Sequence, residues 1–158
     1  MLRPARLTMI AACAAAIVAF TAAPAFAGTT AVTISGCVLR ATSSGTPPAN
    51  VIVSPTTGSC TVSGITGTAT TTGNTTLTTQ PDGSVTADTI DVTVRATILI
   101  FVRVTCRYVA SNVNLPLVSS GPPTWTYETA SATARKVSGP DEYCGPEVTG
   151  TARAAITP

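Results

Sequence analysis

The chain has 158 residues, nine of them Lys or Arg, seven Asp or Glu and none His. Setting aside an expected leader of 27 residues leaves 131, one domain's worth, with seven basic and seven acidic residues. A net charge of zero argues against nucleic acid or an anionic membrane as a partner held by clustered positive charge, and the lack of His removes the commonest general base and metal ligand.

The leader is read first. Arg3 and Arg6 form a short positive segment, Leu7 to Ala23 an apolar run, and Pro24 breaks it. Ala25-Phe26-Ala27 then offers small residues before a signal-peptidase cut. Residues 1–27 are expected to form a signal-peptide helix, cleaved between Ala27 and Gly28, leaving 28–158 as a single secreted β domain. A retained membrane helix is the competing reading. The apolar run of 17 residues sits at the short edge for spanning and ends in a cleavage site, so no stable transmembrane anchor is expected. Ile10-Ala11-Ala12-Cys13 resembles a lipobox, but the apolar run continues ten residues beyond Cys13.

From Gly28 on, 29 Thr and 12 Ser favour extended backbone over helix. Ala31 to Ala41 reads as one strand with Val32, Ile34 and Val38 on a shared face. Ser43 to Pro48 is a loop, Val51 to Val53 a short strand, and Cys60 to Ile65 the next. Thr66 to Thr79 is nearly all Thr, Gly and Ala and is expected at a sheet edge or on a solvent face. Gln80-Pro81-Asp82-Gly83 is hairpin chemistry between Thr75–Thr79 and Ser84–Thr89. Asn74-Thr75-Thr76 is formally a glycosylation sequon and carries little weight in a chain with a bacterial type of leader.

From Ile90 to Tyr108 the even positions are apolar and the odd ones mostly Asp, Thr and Arg, the alternation of a sheet buried on one side. The odd face turns apolar at Leu99 and Phe101, so the run breaks within Thr97 to Phe101. It gives two strands, about Thr89–Ala96 and Val102–Ala110. Val92, Val94, Val102 and Val104 should face inward, Thr93, Arg103 and Thr105 outward. Asn112 to Val118 is a further strand and Ser119 to Pro123 a loop. Thr124 to Val137 is a long strand with Trp125 and Tyr127 on one face. Ser138 to Pro146 is a loop holding Cys144. Val148 to Thr157 is the last strand, with Val148, Ala152, Ala154 and Ile156 together. The result is an all-β domain: an antiparallel β-sandwich or flattened barrel of about eight or nine short strands.

Beyond Cys13 there are four cysteines: Cys37, Cys60, Cys106 and Cys144. In an exported chain an even number reads as disulfides. Of three possible pairings, Cys37–Cys60 with Cys106–Cys144 closes the shortest loops. No CxxC spacing supports zinc. Asp141, Glu142 and Glu147 cluster near Cys144, but no DxDxD-type calcium loop is present, and a solvated loop is the plainer reading. Ser131 and Lys136 are the nearest approach to a Ser–Lys dyad. No catalytic constellation stands out, and neither an enzyme, a metal nor a cofactor is expected. Leu99, Phe101, Trp125 and Tyr127 are the candidate ligand or interaction patch, with core packing as the alternative. Arg95, Arg103 and Arg107 share one face, where they keep the sheet soluble or meet an anionic glycan or lipid headgroup.

Val104-Thr105-Cys106-Arg107-Tyr108 and Tyr143-Cys144-Gly145-Pro146, after a signal peptide and a Thr-rich hairpin, resemble small exported actinobacterial β-rich proteins of unassigned function. The resemblance covers about residues 80 to 157. It implies export and a Cys106–Cys144 bridge, and no activity. The exported enediyne-binding apoproteins are similar in architecture alone, because their bridges close short loops. The expected role is a secreted, disulfide-stabilised, non-catalytic structural or binding protein of the bacterial envelope or medium. One alternative is a carrier of a small apolar ligand with a cleft near Leu99, Phe101 and Trp125. Another is an inhibitor or toxin presenting the Cys144 loop. An apolar concavity would favour the carrier, a protruding loop at Gly139–Pro146 the inhibitor.

Overall fold

The computed structural model describes residues 27–34, 36–62, 65–98, 100–121 and 123–158. The expected signal helix and Cys13 lie outside these residues, as does Leu99. The β-branched and alternating segments form eleven strands: β1 (Ala27–Ile34), β2 (Cys37–Ser44), β3 (Val51–Val53), β4 (Thr57–Val62), β5 (Ile65–Thr71), β6 (Thr75–Thr79), β7 (Val85–Ile98), β8 (Val102–Leu115), β9 (Leu117–Ser119), β10 (Trp125–Ser138) and β11 (Glu147–Thr157). Among the described residues there is no helix, and so none long and apolar enough to cross a membrane.

All the pairings are antiparallel, and they close on themselves. β1 pairs with β2 through Ala27↔Ser44 to Ile34↔Cys37 and on its other side with β11 through Thr29↔Thr157 to Ile34↔Ala152. β3 and β4 lie end to end beside β2, and β5 and β6 end to end beside β7. The chain therefore runs up and down around a barrel of eight staves: β1, β2, β3/β4, β5/β6, β7, β8, β10 and β11. Of the two expected architectures, this is the flattened barrel.

Closure explains where single-strand reasoning erred. The stretch read as one strand, Ala31 to Ala41, is the β1–β2 hairpin. It turns at Gly36, whose φ of 84° suits a residue without a side chain. The turn puts Val38 on the outer face, away from Val32 and Ile34. Of the two places expected for the Thr-rich segment, a sheet edge or a solvent face, it takes the second, because a closed barrel has no edge. Its Ala69 and Leu77 are buried while Thr66, Thr68 and Thr78 face water. The segment read as a separate strand from Asn112 to Val118 is the end of β8 plus β9, parted by Pro116. The Gln80–Gly83 turn forms as its residues dictate: Gly83 N–H donates to Gln80 O at 2.9 Å, and Asp82 Oδ1 accepts from Ser84 N–H and Oγ.

The central strands change face midway. On β7 the inward positions are Val85 and Ala87, then Ile90, Val92 and Val94; on β8 they are Cys106 and Ala110, then Val113 and Leu115. The ladder skips Asp88 and Asn112, with Asn112 at φ 53°, a left-handed conformation that Asn tolerates. Asp88 Oδ1 accepts from Thr76 N–H at 2.9 Å, replacing a lost ladder bond. β10 shifts register between Thr129 and Ala132, taking the inward set from Tyr127 to Ala132 and Ala134. These changes of face divide the interior into two halves of different character.

Candidate functional site

The half reached by the first residues of β1 and β10 is the more fully packed, with a void of only about 40 Å³. Tyr127, Leu77, Leu115, Val51, Val85 and Ile156 form its core, with Trp125 packed against them. Their long side chains reach the barrel axis, and an eight-stranded barrel is just wide enough for such side chains to fill.

The other half is hollow. Its walls are Val92, Val94 and Ala96 of β7, Val104 and Ala110 of β8, Ala132 and Ala134 of β10, and Gly67 of β5. With Ile34, Leu39, Ile90, Ile98 and Tyr108 they enclose a cavity of about 350 Å³. The inward residues of β7 from Ile90 to Ile98 span roughly 20 Å of barrel depth, at ~3.3 Å per residue and a tilt near ~40°. Polar groups on the lining come from Tyr108, Thr133 and Tyr143; the remainder is aliphatic, Gly67 and the half-cystines Cys37, Cys60 and Cys106. The apolar side faces in, with Arg95, Thr97, Arg103 and Thr105 on the outside, the inverse of a barrel whose outer face meets lipid.

Both expected disulfides are present and both stand at this hollow end. Cys37–Cys60 links directly opposed residues of β2 and β4. Cys106–Cys144 ties the loop 139–146 to β8. Gly139 is required where that loop leaves β10: φ is 126°, and a Cβ there would lie 2.6 Å from Cys144 Sγ. Lys136 sits opposite Tyr108 on β10, donates from Nζ to Cys144 O at 3.1 Å and forms an ion pair with Asp141. The loop is thereby held against the barrel end, and its Tyr143 lines the cavity. The Lys136 ammonium holds the Asp141 carboxyl below its usual range. Burial pushes the Tyr108 phenol up, an effect that Lys136 partly offsets.

The turn between β7 and β8 projects at the cavity mouth. Ile100 is 83% and Phe101 88% exposed. Ile100 has φ 63°, a left-handed conformation that costs a β-branched residue roughly 1–2 kcal/mol. Val102, expected to face inward, shares a face with Ile98 but stands at the rim, partly exposed. Val92 and Val94 lie on the cavity wall, Val104 is buried, and Arg103 and Thr105 face out.

Of the residues singled out as a patch, the three that are described do not come together. Phe101 is at the mouth, whereas Trp125 opposes Ile156 and Tyr127 opposes Ala154 in the filled half. The cleft expected near Phe101 and Trp125 is therefore replaced by a cavity further along the same barrel. Tyr127 is 2% exposed and is core. The alternation of Ile90 to Ile98 did identify the cavity wall, but it reads the same whether the far side is full or empty. The signal for emptiness was the small residues facing that wall: Gly67, Ala132 and Ala134.

The other candidate chemistry separates in space. Ser131 is exposed on the outer face, whereas the inward-facing Lys136 is engaged with the loop. Asp141 is paired, and among the described residues no three His, Cys, Asp or Glu side chains converge as metal ligands. Arg107 donates to Asp91 from Nε at 2.9 Å and from Nη2 at 2.5 Å, which lowers the Asp91 carboxyl. The fold and the site thus define a class: a closed antiparallel barrel, filled at one end and holding an apolar cavity at the other. No family model, curated protein or solved structure matches the chain.

Proposed function

We propose that this chain is a non-catalytic exported binding protein of the cell envelope or medium that holds a small apolar ligand in the hollow half of the barrel. One observation supports this reading above the others: an almost wholly apolar lining encloses a cavity of about 350 Å³, whereas the void in the other half of the barrel is about 40 Å³. At ~24 cal/mol per Å³ of void, leaving such a volume unfilled forgoes several kcal/mol of packing. Longer residues at Ala96, Ala132 or Ala134 would recover that energy unless the space serves a ligand. The volume and the few polar groups match ligand sites in general. The disulfides agree with an oxidising compartment. The inhibitor reading loses support because the Cys144 loop is tied back on the barrel and turns Tyr143 toward the cavity.

The test fills the cavity from its wall. Ala132→Phe and Ala96→Phe should weaken binding of anilinonaphthalene sulfonate, or of a long-chain fatty acid displacing it, by at least about tenfold, ~1.4 kcal/mol. Ser131→Phe, on the outer face, should leave it unchanged. Folding of each variant is checked by circular dichroism. Full dye binding in both filled variants would overturn the proposal.

A further inference from the structure

The end of the barrel that opens into the cavity also carries the two most exposed large apolar side chains among the described residues. Ile100 and Phe101 project from the β7–β8 turn, uncovered by any of the described residues, and Ile65, Val102, Tyr143 and Val148 stand partly exposed near the same mouth. A turn tip normally carries Gly, Asn or Asp, and glycines take the positive-φ positions at Gly36, Gly73 and Gly83. Here two large apolar side chains occupy the tip, one of them in a backbone conformation that disfavours it. Water gives no reason for that choice; an apolar medium beyond the tip does.

The charges behind the tip indicate which medium. Arg103 lies two residues past Phe101, and Arg95 lies opposite Thr105 on the same outer face. Both are exposed, and among the described residues neither is in an ion pair. Of the acids at this end, Asp91 is paired with Arg107 and Asp141 with Lys136; Glu147 is a cross-strand neighbour of Arg135 without an ion pair, and Glu142 stands alone. Zero net charge over the whole domain thus hides a local arrangement of apolar tip first and guanidinium groups just behind it. That is the order in which a side-chain cluster entering a bilayer meets acyl chains and then phosphates.

We propose that the mouth end docks on a phospholipid bilayer containing anionic headgroups, with Ile100 and Phe101 inserted and Arg95 and Arg103 against the phosphates. Docking there would place the cavity opening at the acyl layer. The proposal goes beyond ligand binding and stands apart from it, because no cavity ligand takes part in the docking contact.

Protein recovered from the medium of an exporting host, its N-terminus read by mass, is mixed with vesicles of phosphatidylcholine alone or with phosphatidylglycerol and sedimented. The mixed vesicles should carry the protein down. Ile100→Ser/Phe101→Ser should reduce binding by at least about tenfold, and Arg95→Gln/Arg103→Gln should reduce it several-fold while weakening its salt dependence. Val118→Ser, at the filled end, should bind as the parent does. All variants share one N-terminus, so a difference among them reads the tip. Ala132→Phe should still sediment with vesicles, which separates this inference from the ligand reading. Equal sedimentation of the parent and the Ile100/Phe101 variant, or none with either vesicle, would overturn the proposal. So would a parent dimer in sedimentation equilibrium that the tip variant abolishes, since a second copy would then cover the tip.

Discussion

Tyr127→Ala should destabilise the protein by about 3–5 kcal/mol, the range for removing a large aromatic side chain from a packed core. Tyr127 is the largest fully buried side chain of the described residues. It lies in the half of the barrel where it packs in one cluster with Leu77, Leu115 and Ile156, and where the void is about 40 Å³ against about 350 Å³ in the other half. Val94→Ala, on the wall of the hollow half, removes fewer atoms, and the space it opens joins an existing cavity. It should cost only ~0.5–1 kcal/mol, at the lower end for a truncated aliphatic side chain. Urea unfolding with both disulfides intact measures the two. Costs of similar size would mean that the two halves are packed alike, and would remove the basis for the cavity.

The second large effect belongs to the bridge at the mouth. Cys106 and Cys144 are separated by 38 residues, and the loop-entropy relation gives about 4 kcal/mol for a cross-link of that span. Cys106→Ser/Cys144→Ser should lose about that much stability. It should also loosen the loop 139–146, which would then be held mainly by Lys136 through Asp141 and Cys144 O. Cys37→Ser/Cys60→Ser, with a separation of 23 residues, should cost slightly less, since the entropic term grows only with the logarithm of loop length. The sharper contrast is functional: the Cys106 variant should alter ligand affinity through Tyr143, which the loop brings to the cavity. A Cys106/Cys144 variant as stable as the parent would contradict the role of this bridge.

Much of the fold was legible because it is local. The alternation from Ile90 to Tyr108, the break between Thr97 and Phe101, and the Pro-Asp-Gly hairpin each rest on residues close in sequence. So did the sequential disulfides, since adjacent staves bring Cys37 against Cys60. Closure was not legible. Nothing in Thr29 to Ile34 announces that this strand bonds to β2 on one side and to the distant β11 on the other. Gly36, which turns the first hairpin, was a readable signal, outweighed by the apolar residues on either side. The break in the ladder at Asp88 and Asn112, which keeps register, and the bulge in β10 after Thr129 switch faces without a glycine or proline to mark them. Trp125 and Tyr127 could therefore not be related to the cavity by counting along β10.

The most direct measurement is a methyl-resolved NMR titration with an apolar ligand, such as a long-chain fatty acid. The account predicts shifts at the Ile90, Val92, Val94, Ile98 and Val104 methyls, which line the cavity. Val51, Val85 and Leu115, in the filled half, should stay in place. Shifts confined to the filled half or scattered over the outer face, or no shifts at all, would contradict it.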